Sequence, residues 1–183
     1  MKYILVALEG ELPNHNLDSN EYKVWYHGVG KVNATMYATL ACLQKDCELV
    51  INFGTAGVLT KGLEGKLHRV GTVVQRDMDA RPQAPLGDTP FEKTGLQGPL
   101  KLNDSPITIS SGDNFVQSPP ELGSDLVDME GYGVVKVCKH LSKPVELVKY
   151  GTDFADENSA EEWEANMSKG KDLFLDWLKK EYV

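Results

Sequence analysis

The stretch YKVWYHGVGKVNATMYATLACL, Tyr22 to Leu43, decides the fold. Tyr22 to His27 is aromatic and β-branched, the composition of a strand. Gly28-Val29-Gly30 then turns the chain, and Val32, Met36, Leu40 and Leu43 recur at helical spacing, which predicts a helix. Strand, glycine turn and helix in that order mark an α/β domain.

The same pattern extends in both directions. Lys2 to Leu8 (KYILVAL) is a continuous apolar run, predicted as a central strand buried on both faces. Glu48 to Phe53 is a further strand, ending at Gly54-Thr55-Ala56-Gly57, and Val70 to Val74 another. Pro106 to Ser110 and Leu126 to Asp128 are short strands, Glu130 to Leu141 a helix, and Val145 to Tyr150 the last strand. A closing amphipathic helix carries Trp163, Met167, Phe174 and Trp177, with Ser159 and Glu162 at capping-box spacing. Between Asp77 and Leu102 four prolines (Pro82, Pro85, Pro90, Pro99) and no clear period predict a long functional loop or lid. The alternation implies one layered α/β domain over residues 1–183, with its site at the strand ends.

Composition narrows the function. With 27 acidic and 19 basic residues the net charge is −8, which opposes general binding to nucleic acid or anionic membranes. No apolar run nears the roughly 20 residues that span a bilayer, and the acids of MKYILVALEGEL stand where a signal peptide would be cleaved, so a cytoplasmic protein is expected. Cys42, Cys47 and Cys138 lack metal spacing and read as structural thiols, and His15, His27, His68 and His140 form no zinc pattern. Neither metal nor cofactor is expected.

Acids recur where apolar strands end: Glu9 and Glu11, Asp113, Asp128 and Glu130, then Asp153 and Asp156. A carboxylate there can be held rigidly and partly desolvated, as acid and base chemistry requires, although any one of them is equally readable as a solvated charge. Gly28-Val29-Gly30-Lys31 invites a phosphate-loop reading but fails both the Walker spacing and the dinucleotide spacing, where Asn33 replaces the third glycine. A tight strand-to-helix turn explains it as well.

Six segments, in order, resemble the purine nucleosidase and nucleoside phosphorylase family, nearest its methylthioadenosine and S-adenosylhomocysteine nucleosidase branch. They are ALEGEL (Ala7 to Leu12), GVGKVNAT (Gly28 to Thr35), VINFGTAG (Val50 to Gly57), SGDNF (Ser111 to Phe115), VDMEGYGVVKVC (Val127 to Cys138) and YGTDFAD (Tyr150 to Asp156). The resemblance implies a single three-layer domain with a central twisted mixed β-sheet flanked by helices. It also implies a purine, chiefly adenine, nucleoside as substrate and a homodimer as the assembly. By the match Asp153 protonates purine N7 and Glu11 deprotonates the attacking water. Glu130, after Met129, accepts hydrogen bonds from the ribose hydroxyls. Phe115 stacks on the base, the Val116 backbone reads its edge, Thr55 makes a polar contact to water or sugar, and Trp163 closes over the 5′ substituent. Lys149 stands where the family has an arginine before the catalytic acid, and the match places it among the substrate-binding residues. The first loop, GELPNHNLDSNEY, has no cation before Lys23 and leaves no room for the usual first helix and hairpin. Phosphate would lack partners there, so water is the expected nucleophile. Arg76, Arg81 and Lys93 are candidates for an acidic 5′ group, or solvated loop charges. A phosphorylase and a catalytically silent nucleoside-binding protein are the alternatives.

Overall fold

The computed structural model describes residues 1–17, 19–154 and 166–182, with only the backbone given for Asp153 and Phe154. Nine strands form one mixed sheet: β1 (Lys2–Val6), β2 (Tyr22–Tyr26), β3 (Leu49–Val58), β4 (Leu67–Arg69), β5 (Thr72–Gln75), β6 (Leu100–Lys101), β7 (Thr108–Ser111), β8 (Leu126–Asp128) and β9 (Val145–Phe154). Helices α1 (Lys31–Cys42), α2 (Gly131–His140) and α3 (Lys171–Tyr182) flank it. The architecture expected from the sequence is the one observed. Among the described residues no helix is long and apolar enough to cross a membrane.

The sheet is organised around β3, which pairs with β9 in parallel along nearly its whole length, from Val50 opposite Val145 to Val58 opposite Phe154. On its other edge β3 changes partner. Its first residues lie parallel to β1, up to Asn52 opposite Leu5, and its last two lie antiparallel to β8, Gly57 opposite Val127 and Val58 opposite Leu126. Between those partners one edge of β3 has no neighbouring strand, and its backbone groups must be satisfied otherwise. The Asn52 side chain bridges part of the gap by donating to Leu5 O at 3.0 Å. Glu11 takes the rest, as described below.

Several expectations change. Lys2–Val6 is buried but stands second from the edge, because β2 pairs outside it and β3 and β9 hold the centre. β3 does not stop at Phe53 but runs through Gly54-Thr55-Ala56-Gly57 to Val58. Strands β4 and β6 are additions, and they are too short to carry a period.

The apolar stripe that marks α1 in the sequence is its outer face. Ala34, Ala38, Ala41 and Cys42 are the buried residues, whereas Val32 is 79% exposed and Met36, Leu40 and Leu43 are exposed too. Small side chains are needed on the inner face because α1 packs closely on α2. A Cβ at Gly133 would come 2.5 Å from Thr35 Oγ1 and 3.0 Å from Lys31 O. Cys42, Cys47 and Cys138 are buried and free, within the core cluster under this helix pair. In α3, Phe174 and Leu178 are buried, and Phe174 stacks on Phe53 of β3 with ring centroids 4.0 Å apart. Ser159, Glu162 and Trp163 lie outside the described residues.

Candidate active site

The opening in the β3 edge forms the floor of a cavity. It is lined by Ala7, Leu8 and Glu11 after β1, Val29 of the glycine turn, and Thr55, Ala56 and Gly57 of β3. Arg76, Asn114, Phe115, Val116, Val127, Asp128, Met129 and Glu130 complete the wall. Of the residues singled out in the sequence, the structure brings together Glu11, Thr55, Phe115, Val116, Met129 and Glu130. Asp153 lies in β9 opposite Gly57, beside a register shift between Ala56 and Gly57, and its side chain is outside the described part. Asp156 and Trp163 are outside it altogether.

Glu11 ends a single 3-10 turn, Glu9–Glu11, and is buried. Its Oε1 accepts from the Thr55 backbone N–H at 2.8 Å and from Thr55 Oγ1 at 2.7 Å. Its Oε2 accepts from the Leu8 N–H at 3.1 Å. The carboxylate therefore takes the hydrogen bond that a neighbouring strand would have taken from Thr55. Gly54 makes room for it, since a Cβ there would lie 3.1 Å from Glu11 Oε1.

Glu130 lines the same cavity from the start of α2. It is the N-cap residue of α2 and is 7% exposed, with Oε1 accepting from the Gly30 N–H at 2.9 Å and Oε2 from the Met129 N–H at 3.3 Å. Gly28 and Gly30 have φ of 80° and 99°, a conformation that suits glycine and that aims the Gly30 N–H at Glu130. The next N–H, of Lys31, donates to Asp113 Oδ1 at 2.7 Å. The start of α1 thus holds two carboxylates of its own chain where a phosphate loop would hold an anion.

Burial pushes the Glu130 carboxyl up to about 7, and repulsion from Asp128 and Glu11 adds to it, against the pull of Lys149 and the Gly30 N–H. In the native state this carboxyl keeps a proton that the unfolded chain, with its ordinary value of 4.5, has already released. Folding stability is therefore expected to fall as pH rises from about 4.5 through about 7, by about 3 kcal/mol in all, and then level off. Melting temperatures across that range check this. Glu130→Gln is expected to flatten the slope and to be the more stable protein at pH 8; parallel curves for the two proteins would contradict the assignment.

Lys149 is not part of the cavity wall, which corrects its expected contact with substrate. It is 1% exposed, and its Nζ lies 2.9 Å from Asp128 Oδ2. Burial pulls the ammonium down, but Asp128, Glu130 and Glu11 carry it above the ordinary lysine value. Asp128 is the residue that sequence reasoning left without a role. Burial opposes its charge, yet Lys149, the Ser111 hydroxyl and the Gly131 N–H hold its carboxyl below the usual range. Ser111 Oγ donates to Asp128 Oδ1 at 2.5 Å and accepts from the Tyr132 N–H at 2.8 Å, while Asp128 Oδ2 accepts from the Gly131 N–H at 2.9 Å. These two side chains cap α2 and leave the Glu130 carboxylate facing the cavity.

The segment 77–102 does not line this cavity, contrary to the lid expected there. It lies along α2, where Lys136 pairs with Glu92, and its Met78, Thr89 and Thr94 line a separate groove between α1 and α2. Arg81 is exposed and paired with Asp79 and Glu121, and Lys93 is exposed. Arg76 is buried in the cavity wall rather than in a solvated loop. The mixed spacing of charge and proline around it gave no signal of that burial.

Comparison with known proteins identifies the family. Residues 14–97 match the family model described as "Phosphorylase superfamily". The chain is 30% identical to an aminodeoxyfutalosine nucleosidase of Helicobacter pylori, over 88% of this chain and 80% of the relative. It is 29% identical to a 5′-methylthioadenosine/S-adenosylhomocysteine nucleosidase of Marinomonas, over 75% and 70% of the two chains. The solved futalosine hydrolase of Helicobacter pylori shares the fold with a TM-score of 0.84 at 24% identity, covering 97% of this chain and 95% of that one. The chain belongs to the purine nucleosidase and nucleoside phosphorylase family, on its nucleosidase side.

Proposed function

We propose that the protein hydrolyses the N-glycosidic bond of an adenine nucleoside of the methylthioadenosine and S-adenosylhomocysteine class. The observation that carries this reading is the pair of buried carboxylates, Glu11 and Glu130, that line one cavity. Departure of a base leaves oxocarbenium character on the sugar. A carboxylate at the ribose hydroxyls stabilises that charge in a water-poor site, where such an interaction is worth about 3 kcal/mol. In this reading Glu130 accepts from the 2′ and 3′ hydroxyls, Glu11 orients and deprotonates the water, and Asp153 donates a proton to N7 so that the base leaves neutral. Phe115, half exposed at the cavity mouth, covers the base, with Val116 at its edge and Met129 against the sugar.

Water is favoured over phosphate by the charges of the wall. Glu11 and Glu130 line it, and Arg76, the one lysine or arginine of the wall among the described residues, spends both terminal nitrogens on backbone carbonyls. A panel of 5′-modified purine nucleosides scored for released base tests the reading. Methylthioadenosine is expected to be cleaved, and Asp153→Asn to lose the activity; absence of base release from every member would refute it, and a fully active Asp153→Asn would remove Asp153 as the acid.

A homodimer belongs to the same proposal. The outer face of α1 leaves Val32, Met36, Leu40 and Leu43 exposed in one stripe, a surface that a second copy would cover. Sedimentation at micromolar concentration is expected to give twice the chain mass, and a monomer would contradict it.

A further inference from the structure

Arg76 follows β5 directly, and its backbone N–H continues the pairing with β7 by donating to Ser111 O at 2.9 Å. The side chain, 6% exposed, then turns across the ends of two strands. Its Nη1 donates to Ser110 O at 2.6 Å and to Asp128 O at 2.7 Å. Its Nη2 donates to Gly112 O at 3.0 Å and to Asn114 O at 2.7 Å, with Asn114 Oδ1 at 3.5 Å. All four terminal N–H groups of the fork are therefore spent on the end of β7, the end of β8 and the loop that follows β7. Gly112 is the counterpart of this clamp. A Cβ there would lie 2.9 Å from Arg76 Cζ, 3.0 Å from Cγ and 3.1 Å from Nε, so the guanidinium lies flat on a residue that must lack a side chain.

The loop held in this way, Gly112 to Val116, carries Phe115 and Val116 to the cavity. The other end of the fork holds the carbonyl of Asp128, two residues before Glu130. We propose that Arg76 is the positioning residue of base recognition: by clamping Gly112 O and Asn114 O it sets where Phe115 and Val116 stand relative to the sugar carboxylate. This rests on the reading that Phe115 and Val116 take the base. A lysine cannot do the same work, because a single ammonium on a flexible stem reaches three acceptors at most and none in a fixed plane.

The test compares Arg76→Lys, Arg76→Met and Gly112→Ala with the wild type, each at a temperature where circular dichroism shows it folded. Three quantities are read: the Kd for free adenine, and the KM and kcat for methylthioadenosine. Without the clamp, binding must order Phe115 and Val116 itself, at about 0.5–1.5 kcal/mol for each side chain. The expected result is that Kd and KM rise by about ten- to a hundredfold, at tenfold for each 1.4 kcal/mol, while kcat changes far less, since the bonds of Arg76 go to the loop and the strand ends and not to Glu11 or Glu130. Gly112→Ala is expected to reproduce the arginine variants. If Arg76→Met does not fold, the lysine and alanine variants carry the comparison. A role in holding the strands alone would lower the melting temperature and leave the adenine Kd of the folded variants unchanged, and that outcome overturns the proposal. A wild type that neither binds adenine nor releases any base defeats the functional reading itself, and the proposal with it.

Discussion

Replacing Glu11 by glutamine is expected to slow base release by about a thousandfold, the middle of the range for loss of a general base, while leaving the protein folded and able to bind free adenine. The geometry gives the reason. Three of the carboxylate's lone-pair positions accept from the Thr55 N–H, Thr55 Oγ1 and the Leu8 N–H, and the carboxylate as a whole faces the cavity. One position remains for a water molecule. Glutamine can keep the two Thr55 bonds through its carbonyl oxygen, but its amide group then meets the Leu8 N–H donor to donor. That mismatch costs about 1–3 kcal/mol of stability. Rates are therefore compared well below the melting point of the variant. Because the base is assigned to Phe115 and Val116, on the loop after β7, and not to Glu11, adenine affinity is expected to stay near the wild-type value. A glutamine variant as fast as the wild type would remove Glu11 from the reaction.

Lys149→Met is expected to be the most destabilising single change around the site, by about 3–5 kcal/mol, although Lys149 does not line the cavity. It would leave Asp128 buried without its cation, next to Glu130 and behind Glu11. Chemical denaturation at neutral pH measures the loss. The sign of the pH dependence is a further check. The pair keeps the Asp128 carboxyl below its ordinary 3.8, so its stabilisation is present above that value and is lost as acid protonates Asp128 in the native state. The gap between variant and wild type is expected to narrow below about pH 4. Lys149→Met combined with Asp128→Leu should recover part of the loss but not all, because Asp128 also accepts the Gly131 N–H at the start of α2. A single variant as stable as the wild type would show that the ion pair contributes nothing.

Most of the architecture was legible because it rests on long apolar runs and on glycine punctuation. Lys2–Val6, Tyr22–Tyr26, Leu49–Val58 and Val145–Phe154 all announce themselves in this way. The inner face of α1 was not legible, since both its large and its small residues repeat at helical spacing. Periodicity reports that a helix forms, not which stripe is buried, and here close approach to Gly133 selects Ala34 and Ala38. The carboxylates Glu11 and Glu130 were found through motif resemblance and not through any property of an acid in isolation. What the sequence withheld were the residues that hold them. Asp128 and Lys149 come together from β8 and β9, and Arg76 reaches across β7 and β8, so no local spacing marks either arrangement.

The central claim is that water, held by Glu11, attacks the sugar as the base leaves. Oxygen-18 water in phosphate-free buffer tests it most directly, with methylthioadenosine as substrate and mass spectrometry of the sugar product formed early in the reaction. The account predicts free adenine and a 5-methylthioribose carrying the heavy oxygen at its anomeric carbon, at a rate that added phosphate does not raise. Release that begins only when phosphate is supplied, with a ribose 1-phosphate ester as product, would contradict it.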